Sequence, residues 1–135
     1  MRLEFLEEIY TIAKTEEKTI LLVRHAINHQ FYIEKILHTA VDRTVYKQLM
    51  QHPHPNIPLL YDVIPKENGC ILIEEFINGK TLEYVLSERQ LSDEEIRDIM
   101  KQLLSAVSHL HHLRPPLIHR DIKPGNIMVM DQGQV

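Results

Sequence analysis

The first half of the chain alternates short apolar runs with polar turns. Runs rich in Ile, Val, Tyr and Thr favour β-strands, because those side chains fit a pleated, half-buried surface. The connections between the first three runs are short enough for an antiparallel meander. The predicted strands cover residues 10–13, 19–24, 31–37, 59–64 and 70–73.

Apolar residues at helical spacing occur once between these strands, and they predominate beyond residue 79. Residues 39–51 predict a helix that ends in a proline-dense stretch. Residues 81–88 predict a short helix with Thr81 as its cap. The motif Ser92-Asp93-Glu94-Glu95 is a capping box. It opens a longer helix, whose apolar residues recur at three- and four-residue steps as far as Leu110.

Composition indicates one globular domain in a reducing compartment. The 135 residues are 44% hydrophobic and 25% charged, which are ordinary globular values. A net charge of −4 predicts no nucleic acid and no anionic membrane as a partner. The single cysteine, Cys70, excludes an internal disulfide. No apolar run approaches the ~20 residues of a membrane span, and the acidic start is atypical of a signal peptide, so we expect a cytoplasmic protein.

One octapeptide carries most of the chemical information. It reads His119-Arg120-Asp121-Ile122-Lys123-Pro124-Gly125-Asn126. The chance of finding its five characteristic residue types at fixed offsets is on the order of 10⁻⁴. The alternative is a basic turn in which Asp121 and Asn126 are ordinary turn residues. The long helix before it and the short apolar strand at 127–129 favour the first interpretation.

The octapeptide resembles the H-R-D-x-x-x-x-N catalytic loop of serine/threonine protein kinases, and we expect a bacterial-type member. The resemblance implies an α+β, protein-kinase-like fold. A five-stranded antiparallel small lobe with one helix and the hinge would occupy about residues 8–77. The first helices and the catalytic loop of the large lobe would occupy 78–135. In that family Asp121 would accept the substrate hydroxyl proton, Lys123 would steady the γ-phosphate and Asn126 would bind magnesium.

The same resemblance assigns a nucleotide site. The third strand resembles the one whose lysine reaches the α- and β-phosphates, which gives that role to Lys35. The alternative for Lys35 is a surface lysine at a strand edge. Adenine would be held by backbone groups of Glu75 (carbonyl) and Ile77 (amide and carbonyl) and by apolar contacts. Those contacts would come from Ile20, Ile33 and Met128, for which the alternative is a plain core role.

Two parts of the family pattern are absent from the first half of the chain. The glycines of the phosphate-binding loop would fall on Ala13, Thr15 and Lys18, whose side chains intrude where glycine lets the backbone approach a phosphate. The helix glutamate that pairs with the lysine falls on Val45.

Nearby carboxylates could replace that glutamate. Asp42 lies one turn before Val45 and is too short to substitute well. We therefore expect Glu74, at the position that gates the pocket behind adenine, to pair with Lys35. The alternative for Glu74 is a solvated or hinge carboxylate. Glu34 is interpreted as an ordinary outward-facing residue.

The last residues of the chain determine which parts of the kinase pattern the sequence contains. A hairpin turn at 130–133 precedes Val135, and the D-F-G segment expected just beyond is not in the chain. We therefore expect a kinase truncated after its catalytic loop, with weak or absent binding of ATP and Mg and no activity alone. The alternatives are a working kinase that phosphorylates a protein substrate, and a non-catalytic pseudokinase that binds a protein partner.

Two surface features complete the sequence picture. The apolar stripe of the long helix, from Ile96 to Leu110, is expected to remain partly exposed and to favour self-association. His52 and His54, and likewise His109 and His112, lack further ligands at metal-site spacing. They are interpreted as solvated surface histidines.

Overall fold

The computed structural model describes residues 2–114, 116, 126–130 and 135. The chain forms two compact units. The first comprises Met1–Pro53 and Pro58–Phe76, and the second comprises His54–Ile57 and Ile77–Val135.

The first unit is a five-stranded antiparallel sheet, as the pattern of apolar runs predicts. A short 3-10 turn, Leu3–Phe5, precedes it. The strands run in the order β1-β2-β3-β5-β4, and every neighbouring pair is antiparallel. Their bounds are β1 Leu6–Lys14, β2 Lys18–His25, β3 Phe31–Leu37, β4 Leu60–Lys66 and β5 Gly69–Glu75.

Each face of this sheet carries its own buried cluster, because successive side chains of a strand point to opposite sides. One face carries a buried cluster that the amino-terminal segment covers with Leu3 and Leu6. The cluster consists of Leu21, Val23, Tyr32 and Ile73. The other face carries Leu60, Val63, Cys70 and Leu72, against which Tyr46 and Leu49 pack from helix α1, Arg43–Gln51.

Helix α1 begins later than the prediction of residue 39. Asp42 has an extended backbone and its carboxylate accepts a hydrogen bond from the Thr44 amide, so it is the N-cap. A capping carboxylate satisfies the helix end and lies outside the helix proper. Asp42 therefore lies before the first turn of α1 and not within the helix, as the predicted start at residue 39 implied.

Glu34 is buried, although the sequence analysis interprets it as an outward-facing residue. It is only 9% exposed and lies on β3 directly between Leu21 of β2 and Ile73 of β5. The prediction of an ordinary outward-facing side chain is therefore wrong about its exposure. Burial raises the pKa of the Glu34 carboxyl, and the nearby Glu8 carboxylate raises it further.

The second unit is mainly helical. Helix α2, Leu82–Glu88, is capped by Thr81, whose hydroxyl accepts from the Tyr84 amide. Helix α3, Asp93–His111, begins with the capping box that the sequence predicts, because Ser92 and Glu95 bond each other's backbone amides. Its buried residues include Ile99 and Leu110.

A small ribbon accompanies these helices. Strand β6, Lys80–Thr81, pairs antiparallel with β7, Met128–Val129. The sequence predicts an apolar strand at 127–129, but it does not predict β6. A Cβ atom on Gly79 would lie 2.5 Å from the Val129 carbonyl oxygen, so the close approach of the two segments requires glycine there.

The apolar stripe of α3 is partly exposed. Ile99 packs with Leu82 and Ile127, whereas Ile96, Met100 and Leu104 remain exposed. No helix in the part of the chain that the structure describes is long and apolar enough to cross a bilayer. Of the hairpin turn predicted at 130–133, residues 131–133 lie outside the described residues.

Candidate nucleotide-binding site

Three of the predicted nucleotide contacts share one face of the sheet in the first unit. Ile20 on β2 lies opposite Lys35 on β3, and Ile33, two residues before Lys35, lies opposite Glu74 on β5. Residues two apart on a strand face the same side. The structure therefore brings Ile20, Ile33, Lys35 and Glu74 together, each half-buried.

Lys35 and Glu74 form an ion pair. The Lys35 Nζ atom lies 3.0 Å from Glu74 Oε2, and the two side chains are 34% and 17% exposed. The pair is diagonal across β3 and β5, a distance that long side chains span readily. This confirms the predicted partner for Lys35, and the carboxylate comes from the sheet itself.

Helix α1 supplies other groups near this pair. None of its residues is Asp or Glu, and Val45 is half-buried. Tyr46 packs on the Cys70 side of the sheet. Burial raises the pKa of the Tyr46 hydroxyl, and interaction with the Cys70 thiol, once that thiol is ionised, and with the Glu74 carboxylate raises it further. The helix thus contributes a neutral phenol beside Glu74.

The β1–β2 turn is closed by one of its own side chains. Thr15 Oγ1 accepts hydrogen bonds from the amides of Glu17 and Lys18, at 3.3 and 3.1 Å. The Thr15 amide donates to the Lys18 carbonyl at 2.8 Å. Since these amides bond within the turn, an incoming phosphate would have to displace Thr15, and the exposed Glu16 and Glu17 would repel it.

Glu75 anchors the end of β5. Its amide donates to the Leu59 carbonyl at 2.8 Å, and its carboxylate accepts from the Leu59 amide at 3.0 Å. The sequence analysis considered only the backbone of Glu75 and missed this side-chain role. The predicted adenine contacts of Glu75 and Ile77 stay predictions.

The second unit holds the remaining predicted positions. Asn126 is exposed, and Met128 is half-buried and pairs with Thr81. Between them the buried Ile127 accepts a hydrogen bond from the Leu82 amide at 2.7 Å, which ties this segment to the start of α2. Asp121 and Lys123 lie outside the described residues. In the described part of the chain, no group of three or more His, Cys, Asp or Glu could hold a metal ion.

Residues 54–57 dock on α3 within the second unit. His54 Nε2 lies 2.9 Å from Ser105 Oγ, and its ring centroid is 5.1 Å from that of His109. Asn56 Nδ2 donates to Gln102 Oε1 at 2.8 Å. His54 and His109 are half-buried, so both are less solvated than the sequence interpretation assumed.

The spacing of polar residues along α3 could have indicated the surface on which residues 54–57 dock. Gln102, Ser105 and His109 are three and four residues apart, which places polar side chains on one face of the helix. Val135 joins the same group, because its amide donates to Gln102 Oε1 at 2.9 Å and its carbonyl accepts from Asn56.

Comparisons with known proteins agree with this architecture. A family model described as protein kinase domain matches residues 7–135. The chain is 30% identical over 129 residues to the SNF1-like protein kinase ssp2 of Schizosaccharomyces pombe, covering 95% of this chain and 21% of that protein. It is 31% identical over 124 residues to serine/threonine-protein kinase tousled-like 2 of Mus musculus, covering 87% of this chain and 17% of that protein.

A solved structure is similar as well. A crystal structure of Rad53 in complex with AMP-PNP superposes with a TM-score of 0.76 at 21% identity, covering 93% of this chain and 35% of that one. At that identity the similarity concerns the fold. The chain spans about a fifth of the length of the first two curated relatives.

Proposed function

The chain belongs to the protein kinase family, and from that premise we propose that it is part of an ATP-dependent serine/threonine kinase domain. Its small lobe and hinge would lie at about residues 8–77, and the start of the large lobe at 78–135. Both curated relatives named above are protein kinases, and one is named a serine/threonine kinase. The type, bacterial or other, and a cytoplasmic location stay predictions.

The proposed roles follow the family's phosphoryl-transfer chemistry. Asp121 would accept the proton of the substrate hydroxyl, Lys123 would steady the γ-phosphate and Asn126 would bind Mg²⁺. Lys35 would contact the α- and β-phosphates. Catalysis of this kind depends on positioning and on neutralising phosphate charge rather than on covalent chemistry.

The Lys35–Glu74 ion pair supports this proposal best. A lysine held by a carboxylate is oriented in advance, which reduces the entropy lost when it binds a phosphate. Ile20 and Ile33 lie on the same sheet face and could pack against a flat aromatic ring. A superposable fold with AMP-PNP bound, in Rad53, supports a nucleotide as the ligand class.

A second candidate is a non-catalytic, kinase-like binding module. The Thr15-closed turn favours it, because the amides of Glu17 and Lys18 already have an internal acceptor. The lack of an acidic residue in α1 favours it too. We propose that these 135 residues by themselves bind Mg-ATP weakly and do not transfer phosphate.

Nucleotide binding tests the site. We expect about 5 mM Mg-ATP to raise the unfolding temperature of the chain by about 1–3 °C, which corresponds to a millimolar Kd. Lys35→Ala should abolish this shift because it removes the cation that meets the phosphates. Lys47→Ala, which removes an exposed lysine of α1, is the matched control and should leave the shift unchanged.

Two results would count against the proposal. A shift that survives Lys35→Ala would place the nucleotide elsewhere. Phosphate transfer by the wild-type chain to a protein substrate, lost in Asp121→Asn, would show that the 135 residues are active by themselves and would refute the proposed inactivity.

A further inference from the structure

His38 directly follows β3 and contacts the chain on both sides of Lys18, where the β1–β2 turn meets β2. Its amide donates a hydrogen bond to the Glu17 carbonyl at 2.8 Å. Its ring nitrogen Nε2 lies 2.8 Å from Oγ1 of Thr19, a side chain that is only 9% exposed. One residue therefore fixes both neighbours of Lys18.

Lys66 determines how the His38 ring bonds. Its Nζ atom lies 3.3 Å from His38 Nδ1. A lysine ammonium group can only donate, so Nδ1 accepts and the neutral ring carries its proton on Nε2. Nε2 therefore donates to the Thr19 hydroxyl. Because His38 and Lys66 are both half-buried, this chain of hydrogen bonds from β4 to β2 is partly shielded from water.

The backbone around His38 lies close against the start of β5. A Cβ atom on Gly69 would collide with the Leu37 carbonyl oxygen and would lie 3.2 Å from that of Thr39. Gly69 also lies opposite Lys66 in the β4–β5 pair. Such close packing leaves His38 little freedom to follow a movement of the β1–β2 turn.

The turn that His38 contacts is closed by internal hydrogen bonds. The amides of Glu17 and Lys18 donate to Thr15 Oγ1, and the Thr15 amide donates to the Lys18 carbonyl. We call these three groups the turn amides. If opening the turn also displaces Glu17 and Thr19, it breaks the bonds to His38 as well, and each such bond lowers the population of the open form.

We propose that His38 is a positioning residue that holds the β1–β2 turn in its closed form through Thr19. The fraction of molecules with an open turn is then smaller, and the apparent affinity for a ligand that needs the open turn falls with that fraction. The effect on nucleotide affinity rests on the proposed function, whereas the effect on the turn does not.

Amide hydrogen exchange of the chain without nucleotide, followed by NMR, tests the effect on the turn. His38→Asn keeps an acceptor near Lys66 but is too short to reach Thr19. We expect the turn amides to exchange about three- to tenfold faster, because one hydrogen bond no longer opposes opening. The amides of Ile27 and Asn28 bond a histidine ring at the opposite end of β2, and they should keep their rates.

His38→Gln separates a positioning role from a general effect on stability. Its longer side chain places an amide N–H about where Nε2 lies, so it still donates to Thr19 and should restore slow exchange. His29→Asn is the matched control. His29 is exposed in the connection between β2 and β3, and asparagine tolerates its left-handed backbone. This control should leave the turn amides unchanged.

Thr19→Val tests the same hydrogen bond from its other end, and it serves if His38→Asn fails to fold. It removes the acceptor and should accelerate exchange by the same factor. The double variant should exchange no faster than either single variant, because both substitutions remove one shared bond. If the two effects multiply instead, the side chains act independently and the proposal is wrong.

Isothermal titration with Mg-ATP tests the effect on nucleotide affinity. His38→Asn and Thr19→Val should each lower the Kd by about three- to tenfold, and His38→Gln should not. If neither the wild type nor any variant binds Mg-ATP, that result contradicts the proposed function, while the exchange rates still decide whether His38 holds the turn.

Three exchange results overturn the proposal. The first is a wild-type rate for the turn amides in both His38→Asn and Thr19→Val. The second is equally fast exchange in His38→Gln and His38→Asn. The third is equal acceleration at Ile27 and Asn28, which would show that the substitutions loosen the whole sheet. Faster exchange with an unchanged Kd for Mg-ATP would refute the effect on nucleotide affinity.

Discussion

At the scale of single residues, the pairing of Lys35 with Glu74 is the part of the site that the sequence predicts best. The resemblance to the kinase family assigns Lys35 to the third strand and Glu74 to the position that gates the pocket behind adenine. The two-residue period then keeps each side chain on one face of its own strand. Glu34 shows the limit of this reasoning. Its face is predictable, but the covering of that face by Leu3 and Leu6 depends on an amino-terminal turn with no strong pattern.

Replacing Glu34 should stabilise the chain. A carboxylate that is 9% exposed between Leu21 and Ile73 pays a desolvation cost, and the raised pKa reports that cost. Glu34→Gln removes the charge and keeps the shape, so we expect the free energy of unfolding at pH 7 to rise. Urea denaturation measures it.

The control for this substitution is Glu67→Gln, which changes an exposed glutamate in the β4–β5 turn. It should alter the unfolding free energy by less than about 0.5 kcal/mol. A loss of stability in Glu34→Gln would mean that the carboxylate has a favourable role in the folded chain, and the desolvation argument would then be wrong.

At the scale of elements, long periodic segments are predictable and short ones are not. The existence of all five strands and of helix α3 follows from their apolar spacing and, for α3, from a capping box, although β1 begins at Leu6 and not at the predicted residue 10. The start of α1 shifts to Arg43 because Asp42 caps it, a choice that spacing alone does not reveal. Strand β6 has two residues, too few to show any period, so its pairing with β7 depends on the close approach at Gly79.

Gly79→Ala tests that close approach. The added methyl group would meet the Val129 carbonyl oxygen at 2.5 Å, so β7 or the turn before β6 must move. We expect a loss of about 1–3 kcal/mol in the unfolding free energy of the second unit, the usual cost of forcing an extra methyl group into a packed site. The neighbouring exposed Asn78 provides the control Asn78→Ala, which should change little. Equal stability of Gly79→Ala and the wild type would show that β6 and β7 can separate without cost.

At the scale of the whole molecule, several titrating groups respond to acid in different directions. Burial lowers the pKa of His54 from 6.5, and His109 lowers it further. Burial raises the pKa of Glu34 from 4.5. Hydrogen bonds from Arg89 and from Ser92 lower the pKa of Glu95 to about 2. The folded chain therefore resists protonation at His54 and Glu95 and favours it at Glu34.

The direction of each pKa shift determines the pH range in which that group changes the stability of the chain. A lowered pKa means that the unfolded chain binds more protons, so stability is lost as pH falls. His54 exerts this effect below pH 6.5, and Glu95 exerts it between its ordinary value of 4.5 and about 2. Glu34 acts in the opposite sense, because its desolvation cost disappears as it takes up a proton. Between pH 7.5 and pH 5.5, roughly the range in which histidine titrates, His54 is the group of these three that removes stability.

The geometry around His54 gives that loss a structural cause. His54 Nδ1 accepts the Asn56 amide at 3.0 Å, so the neutral ring carries its proton on Nε2, toward Ser105. Protonation at Nδ1 replaces the acceptor with a donor and adds charge beside His109.

We expect the unfolding temperature to fall by about 2–4 °C between about pH 7.5 and about pH 5.5, as measured by circular dichroism. His54→Asn keeps an acceptor for the Asn56 amide and cannot titrate, so it should flatten this dependence. A wild-type curve as flat as that of His54→Asn would show that the 54–57 segment stays docked on α3 whatever the charge of His54.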